Sequence, residues 1–363
     1  MLPQLMRGLS SCMYSYPLTF QAAILERSSA PLAIKPVEFR GPLLVGQILV
    51  RLRFSGICGK QLEEIDASDG EDPFLPHLLG HEGTGTVMDT GPGVTKTKLD
   101  DTVVLHWMKG SGINSAPPNY FGSSGAKVNA GWVTTFNEFA VVSENRVTVI
   151  PNSSDLMLAS LLGCAVTTGV GTVINQAQVK PYDTAVVYGC GGVGLSVLQG
   201  LQLARPRLII AVDINDKALE LARDFGATHC INPNSQDVAH EVRRITGGKG
   251  ASKVLINTGN PKAIEAALDT TAVPGNCYFV GRPPRGINIM VDPLAIFQQR
   301  TVAGSHGGDC FPDRDIPTYL QLHEEGSLNL SKLVSRVLPF SQINFGIELT
   351  RSDNPGRCIL KYP

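Results

Sequence analysis

Three side chains in this 363-residue chain have the types and order of a reactive metal site: Cys58, His81 and Cys164. Zn²⁺ favours thiolate and imidazole ligands, and a catalytic site uses three protein ligands so that a fourth position stays open for water or substrate. The alternative is that two small buried thiols and a hydrogen-bonded core histidine need no metal. The ligand types predict one catalytic zinc ion per chain.

A glycine-rich turn supplies the second chemical signal. It lies at 189–194, follows an apolar run at 185–188, and precedes helical spacing of apolar residues from Val193 to Ala204. At such a strand-to-helix turn the backbone can approach a pyrophosphate, whose charge the helix N-terminus stabilises. A tight turn without a ligand is the alternative. The residues expected to contact a dinucleotide here are Gly189, Gly191, Gly192, Val193 and Gly194.

Asp213 favours NAD over NADP. It ends the apolar run 208–212, nineteen residues after Gly194, where a carboxylate bonds the ribose hydroxyls and repels a 2′-phosphate. No arginine immediately follows Asp213, although Lys217 lies nearby. The alternative is that Asp213 caps the next helix.

The composition is that of a globular enzyme, with 43% hydrophobic residues, 17% charged residues and a net charge of −1. No basic run interleaved with aromatic residues suggests a nucleic-acid partner, and no apolar stretch approaches the ~20 residues that span a bilayer. We therefore expect a small-molecule substrate, no nucleic-acid or membrane partner, and a cytoplasmic location. Residues 1–12 contain Arg7 and no acidic residue, so both a weak targeting peptide and a start at Met13 stay open.

The eight cysteines are scattered through a chain too long to need disulfides, which favours reduced thiols. Those without a proposed role are Cys12, Cys190, Cys230, Cys277, Cys310 and Cys358.

The local patterns predict an α/β chain of two domains. Strand-like runs at 47–50 and 102–105 belong to a mostly β first part, whereas strands and helices alternate later, with strands at 253–256 and 277–280. Two further runs near the C-terminus, 337–340 and 358–360, are expected to rejoin the first part. We expect a β-rich catalytic domain of residues 13–165 and 305–363, and a NAD-binding Rossmann domain of doubly wound parallel sheet over 166–304.

The order of the motifs resembles the zinc-containing medium-chain alcohol and polyol dehydrogenases over nearly the whole chain. The motifs are Gly56-Ile57-Cys58-Gly59, Gly80-His81-Glu82-Gly83, Leu162-Gly163-Cys164 and the glycine turn. The resemblance implies that Cys58, His81 and Cys164 hold the catalytic zinc and that Glu82 is a nearby acid that approaches the metal during ligand exchange. It also implies a GroES-like catalytic domain, a cleft beside the Rossmann domain, and a homodimer or homotetramer.

The resemblance assigns further positions to the cleft. Thr168 and the stretch from Val280 to Arg282 match groups beside the nicotinamide, and Arg357 matches a pyrophosphate contact. Trp107 and Phe136 match pocket-lining positions. Trp107 could instead pack in the core, and Arg357 could be a solvated surface charge.

Two departures from the family are visible. Residues 105–157 contain no cysteine, so a thiolate-bound structural zinc cannot form there, and a long loop is expected in its place. Lys60 stands where the family usually has a serine or threonine that relays the substrate proton. Near Zn²⁺, Lys60 could act as a general base that passes the proton to Glu63 or Glu64, or it could turn away to Glu64 or to a cofactor phosphate.

These features predict hydride transfer between a secondary alcohol and NAD, with zinc favouring the alkoxide. A pocket mouth with Lys60, Glu63, Glu64 and His106 is polar, which favours a polyol, cyclitol or sugar-like alcohol and leaves a phosphorylated or amino sugar open. Two other classes remain: a metal-free NADPH-dependent quinone or enone reductase on the same fold, and a catalytically silent dinucleotide-binding protein.

Overall fold

The computed structural model describes residues 14–352 and 355–363. Its first strands are β1 Leu18–Leu25, β2 Ala33–Phe39, β3 Gln47–Ile57, β4 His77–Leu78, β5 Glu82–Thr90, β6 Thr102–His106, β7 Tyr120–Gly122, β8 Lys127–Val128, β9 Phe139–Ser143 and β10 Val147–Ile150. The later strands are β11 Thr184–Tyr188, β12 Leu208–Val212, β13 His229–Ile231, β14 Ala251–Ile256, β15 Thr271–Phe279, β16 Arg300–Gly304, β17 Val334–Pro339 and β18 Arg357–Lys361.

The α-helices are α1 Gly59–Ile65, α2 Leu156–Ala159, α3 Ala165–Gly171, α4 Gly192–Ala204, α5 Asp216–Asp224, α6 Val238–Ile245, α7 Pro261–Asp269, α8 Pro293–Phe297, α9 Pro312–Glu324 and α10 Ile343–Arg351. A π-helical turn, Thr172–Gln176, continues α3. Short 3₁₀ turns lie at Glu144–Arg146, Ser160–Gly163, Gly307–Asp309, Ser331–Leu333 and Phe340–Gln342.

The first part of the chain forms two sheets. Within the described residues, the larger sheet has the order β10-β6-β5-β3-β18-β17, with β9 also paired to β3, and the smaller has the order β4-β1-β2-β7-β8. Strand β18 pairs antiparallel with β3, which places Cys358 opposite Ile57. The C-terminal strands therefore return to the first sheet, as the sequence predicts.

The third sheet is parallel throughout, with the order β13-β12-β11-β14-β15-β16. Helices cover both faces of this sheet, so its central strands are continuous apolar runs. All five residues of β11 are buried. Strand β11 leads directly through the glycine turn into α4. The domain limits at 165/166 and 304/305 stay a prediction.

The segment after β6 differs from the expected long loop, because it contains the β7–β8 hairpin, and β7 pairs with β2. Glu144 organises the neighbouring backbone. Its carboxylate accepts hydrogen bonds from the N–H groups of Thr95, Lys96 and Ile113, each at 2.7 Å. Burial opposes its ionisation, but these donors outweigh burial and lower the pKa of Glu144.

The cysteines in the described ranges are all free thiols, and Cys12 lies outside those ranges. Across residues 14–352 and 355–363 no single helix is long and apolar enough to cross a membrane. One bent pair, Leu156–Gly163 with Ala165–Gln176, passes on length and composition alone.

Candidate metal and dinucleotide site

The three predicted metal ligands come together from distant parts of the chain. Cys58 is the N-cap of α1, His81 immediately precedes β5, and Cys164 lies between a 3₁₀ turn and α3. One donor atom from each lies within 4.8 Å of the other two, and His81 Nε2 is 3.3 Å from Cys164 Sγ. The two thiols are 8% and 7% exposed and line a cleft. Two thiols and an imidazole, open on one side, fit a catalytic zinc ion.

The surroundings favour the thiolate at Cys58. The Cys164 thiol donates a hydrogen bond to Cys58 and lowers the pKa of Cys58 well below its usual value against the opposing effect of burial. The charges of Arg357 and His81 act in the same direction. A thiolate is the form that binds a metal.

The Gln61 side chain contacts two of the predicted ligands, Cys58 and His81. It is fully buried in α1, and its Oε1 accepts a hydrogen bond from the Cys58 backbone N–H at 2.9 Å. Its Nε2 contacts His81 Nδ1. That contact turns Nε2 of the His81 ring toward Cys164, and such partners fix the ring orientation of metal-binding histidines.

Arg357 and Glu82 form a buried ion pair beside the ligands. Arg357 Nε lies 2.9 Å from Glu82 Oε1, with side chains 4% and 0% exposed, so Arg357 is not the solvated surface charge considered as an alternative. Glu82 Oε2 accepts from the Ala165 N–H at 3.2 Å. Burial raises the pKa of Glu82, and the guanidinium opposes that rise. Glu82 would have to leave Arg357 to approach a metal.

The glycine turn fits a closely bound phosphate. Gly189 has a φ of +84°, and a Cβ on Gly194 would lie 1.8 Å from the Gly189 oxygen, so both positions need glycine. A Cβ on Gly191 would meet nothing within 4 Å, which leaves open space above the turn. An ideal Cβ on Gly192 would lie 3.2 Å from Arg357 Cζ. Arg357 Nη2 is buried without a hydrogen-bond partner, so it is available to a phosphate oxygen.

Asp213 lies beside this turn at the end of β12. Its Oδ2 accepts a hydrogen bond from the Cys190 N–H at 2.6 Å, and its Oδ1 accepts one from the Asn215 N–H at 2.9 Å. The N-cap of α5 is Asn215, so Asp213 is not the helix cap considered as an alternative. Its contact with a ribose stays a prediction.

A cleft of about 1140 Å³ joins the metal ligands to the glycine turn. The predicted residues that line it are Cys58, Lys60, His81, Trp107, Cys164, Thr168, Gly191, Gly192, Val193, Gly194, Val280 and Arg357. Three other predicted site residues do not line the cleft themselves: Gly189, Glu82 and Asp213.

His106 and Phe136 do not line the cleft, so both pocket predictions are corrected. His106 is 1% exposed, and its ring nitrogens lie 2.8 Å from the Met108 oxygen and 3.0 Å from Thr148 Oγ1. Burial lowers the pKa of His106 to about 4. Phe136 is fully buried in the core of the first sheet. Side chains alternate along an extended chain, so a one-residue difference decides which face a group occupies, and the next residue, Trp107, does reach the cleft.

Lys60 lies in the cleft wall but is engaged in ion pairs. Its Nζ is 2.9 Å from Glu63 Oε2 and 3.2 Å from Asp69 Oδ2, and it does not pair with Glu64. Asp69 also binds Arg282, which follows β15 on the opposite side of the cleft. This ion pair therefore joins the two walls at the cleft mouth. Burial raises the pKa of Glu64, which lines the same wall.

Sequence reasoning missed four residues of the site: Gln61, Trp132, Arg146 and His306. Trp132, Arg146 and His306 line the cleft, and the His306 ring contacts Trp107 with centroids 5.0 Å apart. Gln61 could have been found from its position three residues after Cys58 in a helix, because that spacing returns a side chain to the N-cap. The other three come from segments without a motif.

Two family models match the chain: the alcohol dehydrogenase GroES-like domain over residues 45–152 and the zinc-binding dehydrogenase over residues 192–325. The S-(hydroxymethyl)glutathione dehydrogenase of Paracoccus denitrificans is 30% identical over 374 residues, covering 94% of this chain and 99% of the relative. Two solved structures are similar over their full length. An alcohol dehydrogenase zinc-binding domain protein from Burkholderia ambifaria has a TM-score of 0.88 at 30% identity and covers 96% of this chain. The benzyl alcohol dehydrogenase of Acinetobacter calcoaceticus has a TM-score of 0.86 at 29% identity and covers 95%.

Proposed function

Because this chain belongs to the zinc-containing medium-chain alcohol dehydrogenases, we propose that it transfers a hydride between a secondary alcohol and NAD in the cleft beside Cys58, His81 and Cys164. The chain is an oxidoreductase of the alcohol dehydrogenase class, and its family uses a catalytic zinc ion and NAD. The observation that carries the proposal is the meeting of three zinc-type ligands and a phosphate-binding glycine turn in one cleft.

When bound, zinc favours ionisation of a substrate hydroxyl and NAD carries away the hydride. Cys58, His81 and Cys164 would hold the metal, and Gln61 keeps the His81 ring in position. Arg357 would neutralise a pyrophosphate while it compensates the charge of Glu82. The cleft walls would hold the reacting groups together, which is the contribution expected of the protein.

The substrate proton would leave through Lys60. Its contact with Glu63 at 2.9 Å supports a path from the cleft to a partly exposed carboxylate. Lys60→Met should lower turnover and change the pH profile while zinc content stays the same. A wild-type pH profile would leave Lys60 with the ion-pairing role alone.

NAD is the proposed cofactor because the carboxylate of Asp213 lies beside the turn, where it would repel a 2′-phosphate. Asp213→Asn should reduce the preference for NAD over NADP. An unchanged ratio of kcat/KM for the two cofactors would contradict this role.

We propose a polyol, cyclitol or sugar-like alcohol as substrate, supported by the polar groups Lys60, Glu63 and Glu64 in the cleft wall. Hydrogen-bonding groups in a cleft wall favour a substrate that offers several hydroxyls. A screen should include S-(hydroxymethyl)glutathione and benzyl alcohol, because similar proteins carry those names. Preferential turnover of either would replace the polyol proposal.

The first experiment measures zinc per subunit by mass spectrometry on protein purified without chelators or affinity-tag metal. One zinc, lost with activity in Cys164→Ala while NADH still binds, is the expected result; Cys277→Ala, a buried thiol outside the cleft, is the matched control. Activity without zinc would favour the metal-free quinone or enone reductase. NADH binding without turnover of any alcohol would favour the silent binding protein.

We propose a homo-oligomer, specifically a dimer that forms across β16. The exposed apolar residues at and before α8 support this proposal. Strand β16 pairs only with β15 among the described strands. Beside it, Met290, Leu294 and Phe297 are 83%, 57% and 85% exposed. An apolar surface next to an open sheet edge suits a second copy of the chain. Phe297→Asp should convert a dimer to a monomer in analytical ultracentrifugation, and a monomeric wild type would refute this assembly.

The free thiols support the proposed cytoplasmic location.

A further inference from the structure

Arg146 is a buried guanidinium in the cleft wall without an acidic partner. It ends the 3₁₀ turn before β10, is 6% exposed and lines the cleft. Its Nη1 donates to the Trp107 backbone oxygen, and its Cζ lies 5.6 Å from the centre of the Trp132 ring. Its Nε is buried without a hydrogen-bond partner. No carboxylate in the described parts of the chain forms an ion pair with it, and burial alone lowers the pKa of Arg146.

A buried cation of this kind is unfavourable unless an anion completes it. The other cleft guanidiniums are compensated, because Arg357 pairs with Glu82 and Arg282 pairs with Asp69. Among the described residues, Arg146 is therefore the cleft arginine that no acidic side chain neutralises. An anion that enters the cleft would compensate this charge.

A second unsatisfied donor lies on the same wall. Trp107 Nε1 is buried without a hydrogen-bond partner, and the backbone oxygen of Trp107 is the group that holds Arg146. Both side-chain groups can only donate, so they suit a ligand group that accepts several hydrogen bonds. Carboxylates and phosphates have that property, and arginine binds both through its planar fork of N–H groups.

The strand register places this pair of donors close to the metal ligands. Val147 pairs with Leu105, and Leu105 pairs with Gly83, two residues after His81. Two strand spacings amount to about 10 Å between the backbones of Val147 and Gly83. A molecule of sugar size could reach both ends. The phosphate-binding turn lies elsewhere, beside Arg357.

We propose that Arg146 and the indole N–H of Trp107 bind a carboxylate or phosphate group of the substrate, so that the enzyme acts on alcohols carrying an oxyanion. This inference rests on the proposed dehydrogenase function. The exposed ring of Trp132 provides an apolar face against which a sugar ring packs beside the anion.

The test uses zinc-loaded enzyme saturated with NADH, which fills the pyrophosphate site. Inorganic phosphate and tartrate are titrated by calorimetry into wild type, Arg146→Gln, Arg146→Lys and Arg205→Gln. Arg205 is the matched control, because it is exposed after α4 and lies outside the cleft lining. We expect both anions to bind at least about tenfold more weakly to Arg146→Gln, because a charge-assisted pair is lost. Arg146→Lys should recover part of the affinity, and Arg205→Gln should match wild type.

Turnover provides the second measurement. Wild type should have a higher kcat/KM for sorbitol 6-phosphate than for sorbitol, or for 3-hydroxybutyrate than for 2-butanol, and Arg146→Gln should remove the difference. Equal kcat/KM within both wild-type pairs, or equal anion binding by Arg146→Gln and wild type, would overturn the inference. If Arg146→Gln does not fold, Trp107→Phe decides, because it removes the indole N–H and keeps an aromatic ring, and unchanged anion affinity in that variant would also refute the inference. If wild-type protein binds no zinc or no NADH, that result would instead refute the proposed function.

Discussion

The pH dependence of stability should reveal whether His106 is a structural residue or a substrate group. His106 is buried and neutral in the folded chain, where burial lowers its pKa to about 4. In the unfolded chain the pKa of histidine is about 6.5. Between these values the unfolded state binds more protons, so the stability from this group is complete above pH 6.5 and is lost as the pH falls. At pH 5 the loss amounts to about 2 kcal/mol of the free energy of unfolding.

The measurement is urea unfolding of wild type and His106→Gln at pH 7 and pH 5. Zinc release on acidification affects both proteins, so the difference between them isolates His106. Wild type should lose about 2 kcal/mol more than the variant. The nearest charges, Lys96 and Asp313, are the same in both proteins. An equal loss would refute the argument. A smaller loss in wild type would mean that His106 is protonated and coupled to Asp313 through Thr148.

Three further predictions concern charged side chains, two of them at the cleft. Arg357→Met should lower the free energy of unfolding by about 3–5 kcal/mol because Glu82 is left buried and unpaired, and adding Glu82→Gln should restore most of it in denaturation experiments. If the double variant is no more stable than the single one, the ion pair is not the cause. Asp69→Asn should change stability by less than about 1 kcal/mol, since its ion pair is exposed, but should speed NADH release in stopped-flow fluorescence by freeing Arg282. Unchanged release would show that this pair does not hold the cleft closed. Glu144→Gln should increase amide exchange at Ile113, and wild-type protection there would contradict its anchoring role.

The sequence predicts those parts of the site that depend on residue type at fixed spacing. The glycine turn and the buried strand before it follow from local sterics and from helices covering both faces of a parallel sheet. The matches to known families confirm the predicted fold class. The ligands Cys58, His81 and Cys164 converge as expected.

The errors arise where side-chain direction or long-range partners decide the outcome. His106, at the end of β6, and Phe136, in the segment before β9, have suitable types but are buried in the core, because backbone geometry and not composition sets side-chain direction. Arg357 lies beside the turn but is also bound to Glu82, 275 positions away in the chain, and no local pattern encodes that contact. Arg146 belongs to no motif, and its importance appears only when its burial and lack of an acidic partner are known.

The chain contains two tryptophans, Trp107 and Trp132, and both line the cleft. The tryptophan emission of the protein therefore originates at the candidate site, without a background from tryptophans elsewhere. Reduced nicotinamide absorbs where indole emits, so bound NADH should be excited by energy transfer from these rings. A substrate that displaces water from the Trp132 face should shift the emission to shorter wavelength. The molecule thus carries an intrinsic optical reporter that can follow occupancy of its cleft in real time without a label.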